Sequence, residues 1–105
     1  MLLKTWSIEI ADVTRGQRFK KTIVYNSSRL SAEWVVERPK VNRTISTLAD
    51  FGNATFTECK ATIEGNTGAI TNFSYAQFGI YDQELQLVTV SPLNDAGSSF
   101  TVNYL

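Results

Sequence analysis

Short segments of alternating apolar and polar residues, separated by turn residues, most constrain what this chain can fold into. TWSIEIADV places Trp6, Ile8 and Ile10 on one face of a strand. The Gly16-containing connection TRGQ and the following RFKKTIVY predict a first hairpin. No stretch of useful length has the 3.6-residue period of an amphipathic helix. The pattern therefore predicts an all-β fold.

Further strands are expected along the rest of the chain. SAEWVVE, residues 31–37, is predicted to be the third strand, and Pro39 ends it because proline cannot donate to a ladder. LADFGNATFTECKATIEG is predicted to be a strand with a break at Gly52, followed by a turn at 66–68. QELQLVTVSP and SSFTVNYL are expected to form a terminal hairpin. Many short strands with turns between them favour an antiparallel β-sandwich or a barrel.

Alternation also predicts which aromatic side chains fill the core. Trp6, Phe56 and Phe100 occupy the face of their strands that is expected to be buried. Tyrosines near the predicted turns, such as Tyr75 and Tyr81, are not placed by this argument.

Length and charge limit the size of the fold and the classes of partner. The 105 residues predict a single domain over 1–105. Ten Lys+Arg balance ten Asp+Glu without a basic run, which argues against nucleic acid or an anionic membrane surface as a partner. No stretch is long and apolar enough to cross a bilayer. The beginning, MLLKTWSIEI, lacks the basic-then-apolar order of a signal peptide and is expected to form a strand.

The chain has no histidine and a single cysteine, Cys59. Ser-His and Cys-His nucleophilic catalysis, the usual zinc sites and an internal disulfide are therefore excluded. No metal and no cofactor are expected. Cys59 lies in the strand-like FTECKATI and is expected to be a small buried or half-buried residue. Any chemistry must use carboxylates, amides or hydroxyls.

The carboxylates of SAEWVVE are the first candidates for such chemistry. Glu33 and Glu37 share a strand face with Val35, and Trp34 lies on the opposite face. At strand rise the two carboxylates are about 13 Å apart, too far for the close pair of a retaining glycosidase. Asp50, between apolar residues in LADFG, is another candidate. From the pattern alone a solvated strand face is the favoured interpretation, and a catalytic Glu33 is the alternative.

Three blocks, WSIEIADVTRGQRFKKTIVY, SAEWVVERP and LADFGNATFT, resemble in order and spacing the C-terminal half of the glutamic peptidases, the eqolisin family. The resemblance is clear over residues 3–57, and the later strands are compatible with it. It implies a β-sandwich of two curved antiparallel sheets, like the concanavalin or legume-lectin jelly roll. It also implies a secreted protein that cleaves proteins and peptides in acid.

The resemblance assigns roles to specific residues. The family's catalytic pair is a glutamate and a glutamine, and the SAEWV block implies that Glu33 is the glutamate. It would act as general base on the attacking water and then protonate the leaving amine, while the glutamine amide stabilises the oxyanion. Val35 and Glu37 are expected to line the same groove, and Asp50 is expected to shape the site.

One half of this catalytic pair has no match in the sequence. The family's glutamine belongs to a block of the N-terminal half, and nothing before Leu3 supplies that block. Gln17 lies in the hairpin turn, and no motif carries the role onto Gln77, Gln83 or Gln86. The isolated chain is therefore expected to be catalytically very weak or inactive. Open strand edges and an exposed core face favour self-association or a complementary N-terminal half chain.

Two other interpretations remain open. A non-catalytic, lectin-like sandwich would bind peptide or carbohydrate on its concave face, with Tyr75, Tyr81 and Tyr104 stacking on sugar rings. A purely structural fragment would have no activity at all.

Overall fold

The chain forms an all-β structure, described here by a computed structural model that covers residues 4–105. Within that range every pairing between strands is antiparallel, and the helical content is one 3₁₀ turn, Ile70–Asn72. No helix in the same range has the length and hydrophobicity needed to cross a membrane. The strands are β1 (Thr5–Asp12), β2 (Gln17–Val24), β3 (Lys40–Val41), β4 (Thr44–Ile45), β5 (Asn53–Phe56), β6 (Lys60–Ile63), β7 (Asn66–Ala69), β8 (Ile80–Asp82), β9 (Leu85–Val90) and β10 (Phe100–Tyr104).

The chain divides into two compact units, Met1–Ser31 and Ala32–Leu105. The first unit is built around the hairpin of β1 and β2, which pairs Thr5 with Val24 at its open end. The predicted first hairpin is therefore confirmed. A single domain over residues 1–105 stays a prediction.

The apolar face of β1 is not the buried core that alternation predicts. Ile8 is 41% exposed and Ile10 is 65% exposed. Trp6 is only half-buried, and the Arg29 guanidinium lies 4.8 Å from its ring centroid. The reason is that a two-stranded sheet has no second layer of its own to cover its apolar face. The prediction that Trp6 is a core residue is therefore wrong, because its side chain is only half-buried.

The second unit contains a four-stranded sheet in the order β5-β10-β9-β8. The predicted terminal hairpin is confirmed as β9 and β10, with Val102 opposite Val90. Val88 and Val102 are 1% and 5% exposed and form the buried centre of this sheet. Phe56 and Phe100 are cross-strand partners whose rings stack with centroids 5.0 Å apart. Their pairing fits the predicted packing role, although both rings are half-buried.

Two turns of the second unit differ from the sequence-based prediction. β6 and β7 are joined by Glu64 and Gly65, whose φ angles are 52° and 79°. Positive φ at both positions is typical of the type I′ turn, whose twist matches that of the flanking strands. The predicted turn at 66–68 is wrong, because the chain has already reversed and these residues belong to β7. The break in the preceding strand lies at 57–59, whereas Gly52 precedes β5.

The segment 31–37 was expected to be the third strand, and this prediction is wrong. No strand within residues 4–105 pairs with it. Exposure nevertheless alternates along it: Trp34 and Val36 are half-buried, and Glu33 and Glu37 are exposed. Alternation specifies which side of an extended chain is buried, but a strand also requires a hydrogen-bonded neighbour.

Candidate functional site

The extended segment that precedes β3 presents Glu33 to solvent. Glu33 is exposed, and no salt bridge or side-chain hydrogen bond joins it to any residue in 4–105. Val35, two residues on, is 51% exposed. Trp34 is half-buried and lies on the opposite side of the segment, as the alternation predicts. The local structure therefore leaves the Glu33 carboxylate accessible to an external group.

An open groove of about 410 Å³ begins a few residues beyond Glu33, within the second unit. One wall is the end of the extended segment, and the other is the loop that leads into β5 together with the first residues of β5. Most of the lining side chains are apolar or uncharged. The lining residues are Val36, Glu37, Arg38, Pro39, Ser46, Thr47, Leu48, Ala49, Phe51, Asn53 and Ala54.

Arg38 holds the groove's wall together. Its side chain is 17% exposed, its Nε donates to the carbonyl oxygen of Ser46 at 2.6 Å, and its Nη2 lies 3.7 Å from Asp82 Oδ2. The amide nitrogen and the hydroxyl of Ser46 both donate to the carbonyl oxygen of Pro39, at 2.9 and 2.8 Å. These bonds close the loop around the short β3–β4 hairpin. The guanidinium is therefore engaged within the protein.

Glu37 differs from Arg38 in having no partner of its own. It is exposed and lines the groove, and no salt bridge or side-chain hydrogen bond joins it to a residue in 4–105. The groove therefore carries one uncompensated negative charge.

Asp50 shapes the backbone beside the groove. Its Oδ1 accepts a hydrogen bond at 3.0 Å from the amide nitrogen of Gly52, whose φ is 69°. Aspartate commonly accepts from the backbone two residues on, and glycine readily adopts a positive φ. Phe51, between them, packs edge-on against Tyr104 with ring centroids 6.0 Å apart. In this arrangement Asp50 fixes the turn that leads into β5.

The structure brings together some of the predicted site residues but not all. Glu37 lines the groove, and Asp50 orders the turn next to it, but neither Glu33 nor Val35 is among the groove's lining residues. The catalytic role of Glu33 and the binding roles of Val35, Glu37 and Asp50 stay predictions.

Sequence reasoning did not single out Arg38 or Phe51. Arg38 follows Trp34 and Val36 on the half-buried side of the extended segment, so its position in the alternation was the available signal. The partners of these side chains are distant in sequence, Asp82 for Arg38 and Tyr104 for Phe51. No local pattern predicts such pairs.

Cys59 lies outside this groove. Its side chain is 2% exposed, and its amide nitrogen donates to the carbonyl oxygen of Ser98 at 2.8 Å. Burial raises the pKa of the thiol, because desolvation disfavours the thiolate. The prediction of a buried or half-buried cysteine is confirmed. Among residues 4–105 there is also no cluster of three or more Cys, Asp or Glu side chains placed to hold a metal ion.

Comparison with protein-family models shows where this architecture belongs. Residues 3–104 match the model described as the peptidase A4 family. The chain belongs to the peptidase A4 family. This is the glutamic peptidase or eqolisin family that the sequence blocks resemble, and the match extends through the terminal strands.

A solved structure shows the fold of this peptidase A4 chain. The chain is similar to the crystal structure of aspergilloglutamic peptidase from Aspergillus niger, with a TM-score of 0.75 and 24% sequence identity. The similarity covers 99% of this chain and 66% of that chain. The predicted antiparallel β-sandwich is thereby confirmed. None of the curated proteins compared with the chain matches it.

Proposed function

We propose that this glutamic-peptidase-like chain carries one half of an acid peptidase site, with Glu33 as the general base. The observation that carries the proposal is the family match over residues 3–104, combined with an accessible Glu33 in the SAEWV block. A carboxylate that takes part in proton transfer must be able to reach water and substrate. The exposed, unpaired Glu33 meets that requirement.

In the proposed reaction Glu33 accepts a proton from water as the water oxygen attacks the carbonyl carbon of a peptide bond. The carbon–nitrogen bond then breaks, and the proton passes from Glu33 to the leaving amine. A glutamine amide stabilises the oxyanion of the tetrahedral intermediate by donating a hydrogen bond. In this proposal none of the three glutamines of the second unit takes this role. Gln77 Nε2 donates to the carbonyl oxygen of Ser91 at 2.9 Å, Gln86 Nε2 donates to that of Val88 at 3.1 Å, and Gln83 lies in the β8–β9 turn.

The proposed site needs a partner to provide the glutamine amide. The chain spans 66% of the length of the solved peptidase chain that it resembles. A complementary N-terminal half chain would supply the glutamine amide and the rest of the sandwich, whereas a second copy would cover the exposed face but bring no family glutamine. The isolated chain is expected to be very weak or inactive. Family resemblance supports secretion and a peptide or protein substrate.

The test is hydrolysis of an unfolded protein at acidic and at neutral pH. The wild-type chain, Glu33→Gln and the matched control Glu64→Gln are each assayed alone and after mixing with the N-terminal half of a complete glutamic peptidase. We expect acid activity only in the mixtures, and we expect Glu33→Gln to lose it while Glu64→Gln keeps it. Robust Glu33-dependent hydrolysis by the isolated chain would contradict the half-site. Activity that survives Glu33→Gln in the mixture would contradict the role of Glu33.

A second candidate function, lectin-like binding, is favoured by two exposed rings. Tyr75 is 52% exposed and Tyr81 is 55% exposed, which suits stacking on a sugar ring. Tyr104 is less suited, because it is half-buried against Phe51. A glycan that binds the wild type, is released by Tyr81→Ala and is unaffected by Glu33→Gln would favour this function over the peptidase.

A further inference from the structure

The groove lies between two stretches of backbone that have no strand beside them. β5 is the terminal strand of the four-stranded sheet, and no strand within residues 4–105 pairs with its outer edge. Its first residues, Asn53 and Ala54, line the groove. The opposite wall is formed by 36–39, a segment outside any ladder. The Pro39 carbonyl oxygen already accepts from Ser46, whereas residues 36–38 and the outer edge of β5 have no strand within residues 4–105 to take up their backbone amides and carbonyls.

An open strand edge is a template for another extended chain. Peptides add to such edges by main-chain hydrogen bonds, and pockets beside the edge select every second side chain. Here the pocket is the groove, and its half-buried apolar side chains include Val36, Leu48 and Phe51. An aliphatic or aromatic side chain that enters it gains stability by leaving water.

The charged side chains that line the groove favour some peptide residues over others. Arg38 already contacts the Ser46 carbonyl oxygen and Asp82, while Glu37 has no ionic partner within residues 4–105. The free charge along the groove is therefore negative. A basic side chain two residues from the apolar one lies on the same face of an extended peptide and would complement this charge, and an acidic side chain there would be repelled.

We infer that this groove binds an extended peptide segment with an aliphatic or aromatic residue two positions from Lys or Arg, and that Glu37 selects the basic residue. The peptide backbone adds along the outer edge of β5. The inference deepens the proposed function, since it takes a peptide as the occupant. It does not require Glu33 to be catalytic, because the groove's lining residues do not include Glu33.

The test is a titration of the isotope-labelled chain, followed by amide chemical shifts in NMR spectra. The probes are short capped peptides that contain Leu-Ala-Lys or Leu-Ala-Glu in an otherwise uncharged sequence. We expect shift changes at 36–39 and 46–54, and we expect the Leu-Ala-Lys peptide to bind about fivefold more tightly, as for one solvent-exposed charge pair. Glu37→Gln is expected to remove this preference, while Glu64→Gln, on the β6–β7 turn, is expected to keep it.

Two further probes test the mode of binding. N-methylation of the peptide backbone is expected to abolish binding, because it removes the donors that a ladder needs. Ala49→Trp is expected to fill the groove and weaken binding at least tenfold, with the amide spectrum of the free variant confirming that it is folded. Shift changes confined to other residues, or unchanged binding of the N-methylated peptide, would overturn the inference.

The remaining outcomes distinguish a bound peptide from a second copy of the chain, and the groove inference from the proposed peptidase function. If the same residues shift with protein concentration in the absence of peptide, the occupant is a second copy and the inference is overturned. Mass spectrometry of each sample shows whether the peptide is cleaved. Binding without cleavage supports the peptide-binding groove, whether or not Glu33 is catalytic. Hydrolysis in the mixtures without binding in the groove overturns the groove inference and leaves the proposed peptidase function standing.

Discussion

Arg38 Nη2 lies 3.7 Å from Asp82 Oδ2. Arg38 lines the groove, and Asp82 lies in β8, an edge strand of the four-stranded sheet. Their exposures are unequal, 17% for the Arg38 side chain and 57% for that of Asp82. The same guanidinium also donates to the Ser46 carbonyl oxygen at 2.6 Å. Arg38 is therefore a half-buried residue that links two segments of the groove wall, whereas Asp82 is largely exposed to solvent.

The unequal burial predicts unequal effects of mutation. Arg38→Met is expected to lower the free energy of unfolding by about 1–2 kcal/mol, because the Ser46 carbonyl oxygen loses its charged donor. Asp82→Asn is expected to cost about 0.5 kcal/mol, since a solvent-exposed ion pair contributes little. Urea unfolding of the two variants provides the measurement. Equal losses would show that the ion pair, and not the bond to Ser46, holds the groove.

Gly97 offers a test of local packing in the same unit. Its φ is 69°, and an added Cβ would overlap the side chain of Thr71. Gly65 has a φ of 79° with nothing within 4 Å of an added Cβ, so it isolates the backbone cost. We expect Gly65→Ala to lose about 1 kcal/mol and Gly97→Ala to lose at least about 2 kcal/mol more, because its neighbour must move. Similar values for the two substitutions would contradict close packing at Thr71.

Much of the fold was predictable because the relevant signals are local. The β1–β2 and β9–β10 hairpins follow from alternation and nearby turn residues, and the burial of Cys59 follows from its small size in a strand-like stretch. The extended segment around Glu33 was not predictable in this way. Alternation gave the correct buried side, but strand formation depends on a partner that local sequence does not identify.

The residues of the groove could likewise be predicted only where their contacts are local in sequence. Asp50 was singled out for its position between apolar residues in LADFG, and in the structure its carboxylate accepts a hydrogen bond from the Gly52 amide nitrogen. Arg38 was not singled out, because its contact with Asp82 spans more than forty positions of the chain. Local chemistry predicts turns, whereas a groove depends on which distant segments meet.

Burial of Cys59 predicts a pH dependence of stability. Burial raises the thiol pKa above its ordinary value of 9.0, so the folded state retains a proton that the unfolded state releases. Stability from the protonated thiol is fully present below that ordinary value and declines as pH rises through it toward the folded-state pKa. Compared with Cys59→Ala, the wild type is expected to lose more stability between neutral pH and a pH above 9.0. Parallel urea midpoints for both proteins across this range would show that the thiol does not titrate differently in the two states.

The exposed face of the first hairpin predicts how copies of the chain associate. Ile10 and Phe19 are cross-strand partners, 65% and 57% exposed, on the face that also carries Trp6 and Ile8. Covering these side chains would remove apolar surface from water, which favours the proposed self-association. Phe19→Lys is therefore expected to weaken self-association at least about tenfold in sedimentation velocity experiments, which corresponds to about 1.4 kcal/mol.

Thr22→Lys adds the same charge on the opposite face of β2 and is expected to leave association unchanged. Equal weakening by both substitutions would indicate charge repulsion, and a wild type that stays monomeric at all concentrations would favour the complementary half chain as the partner.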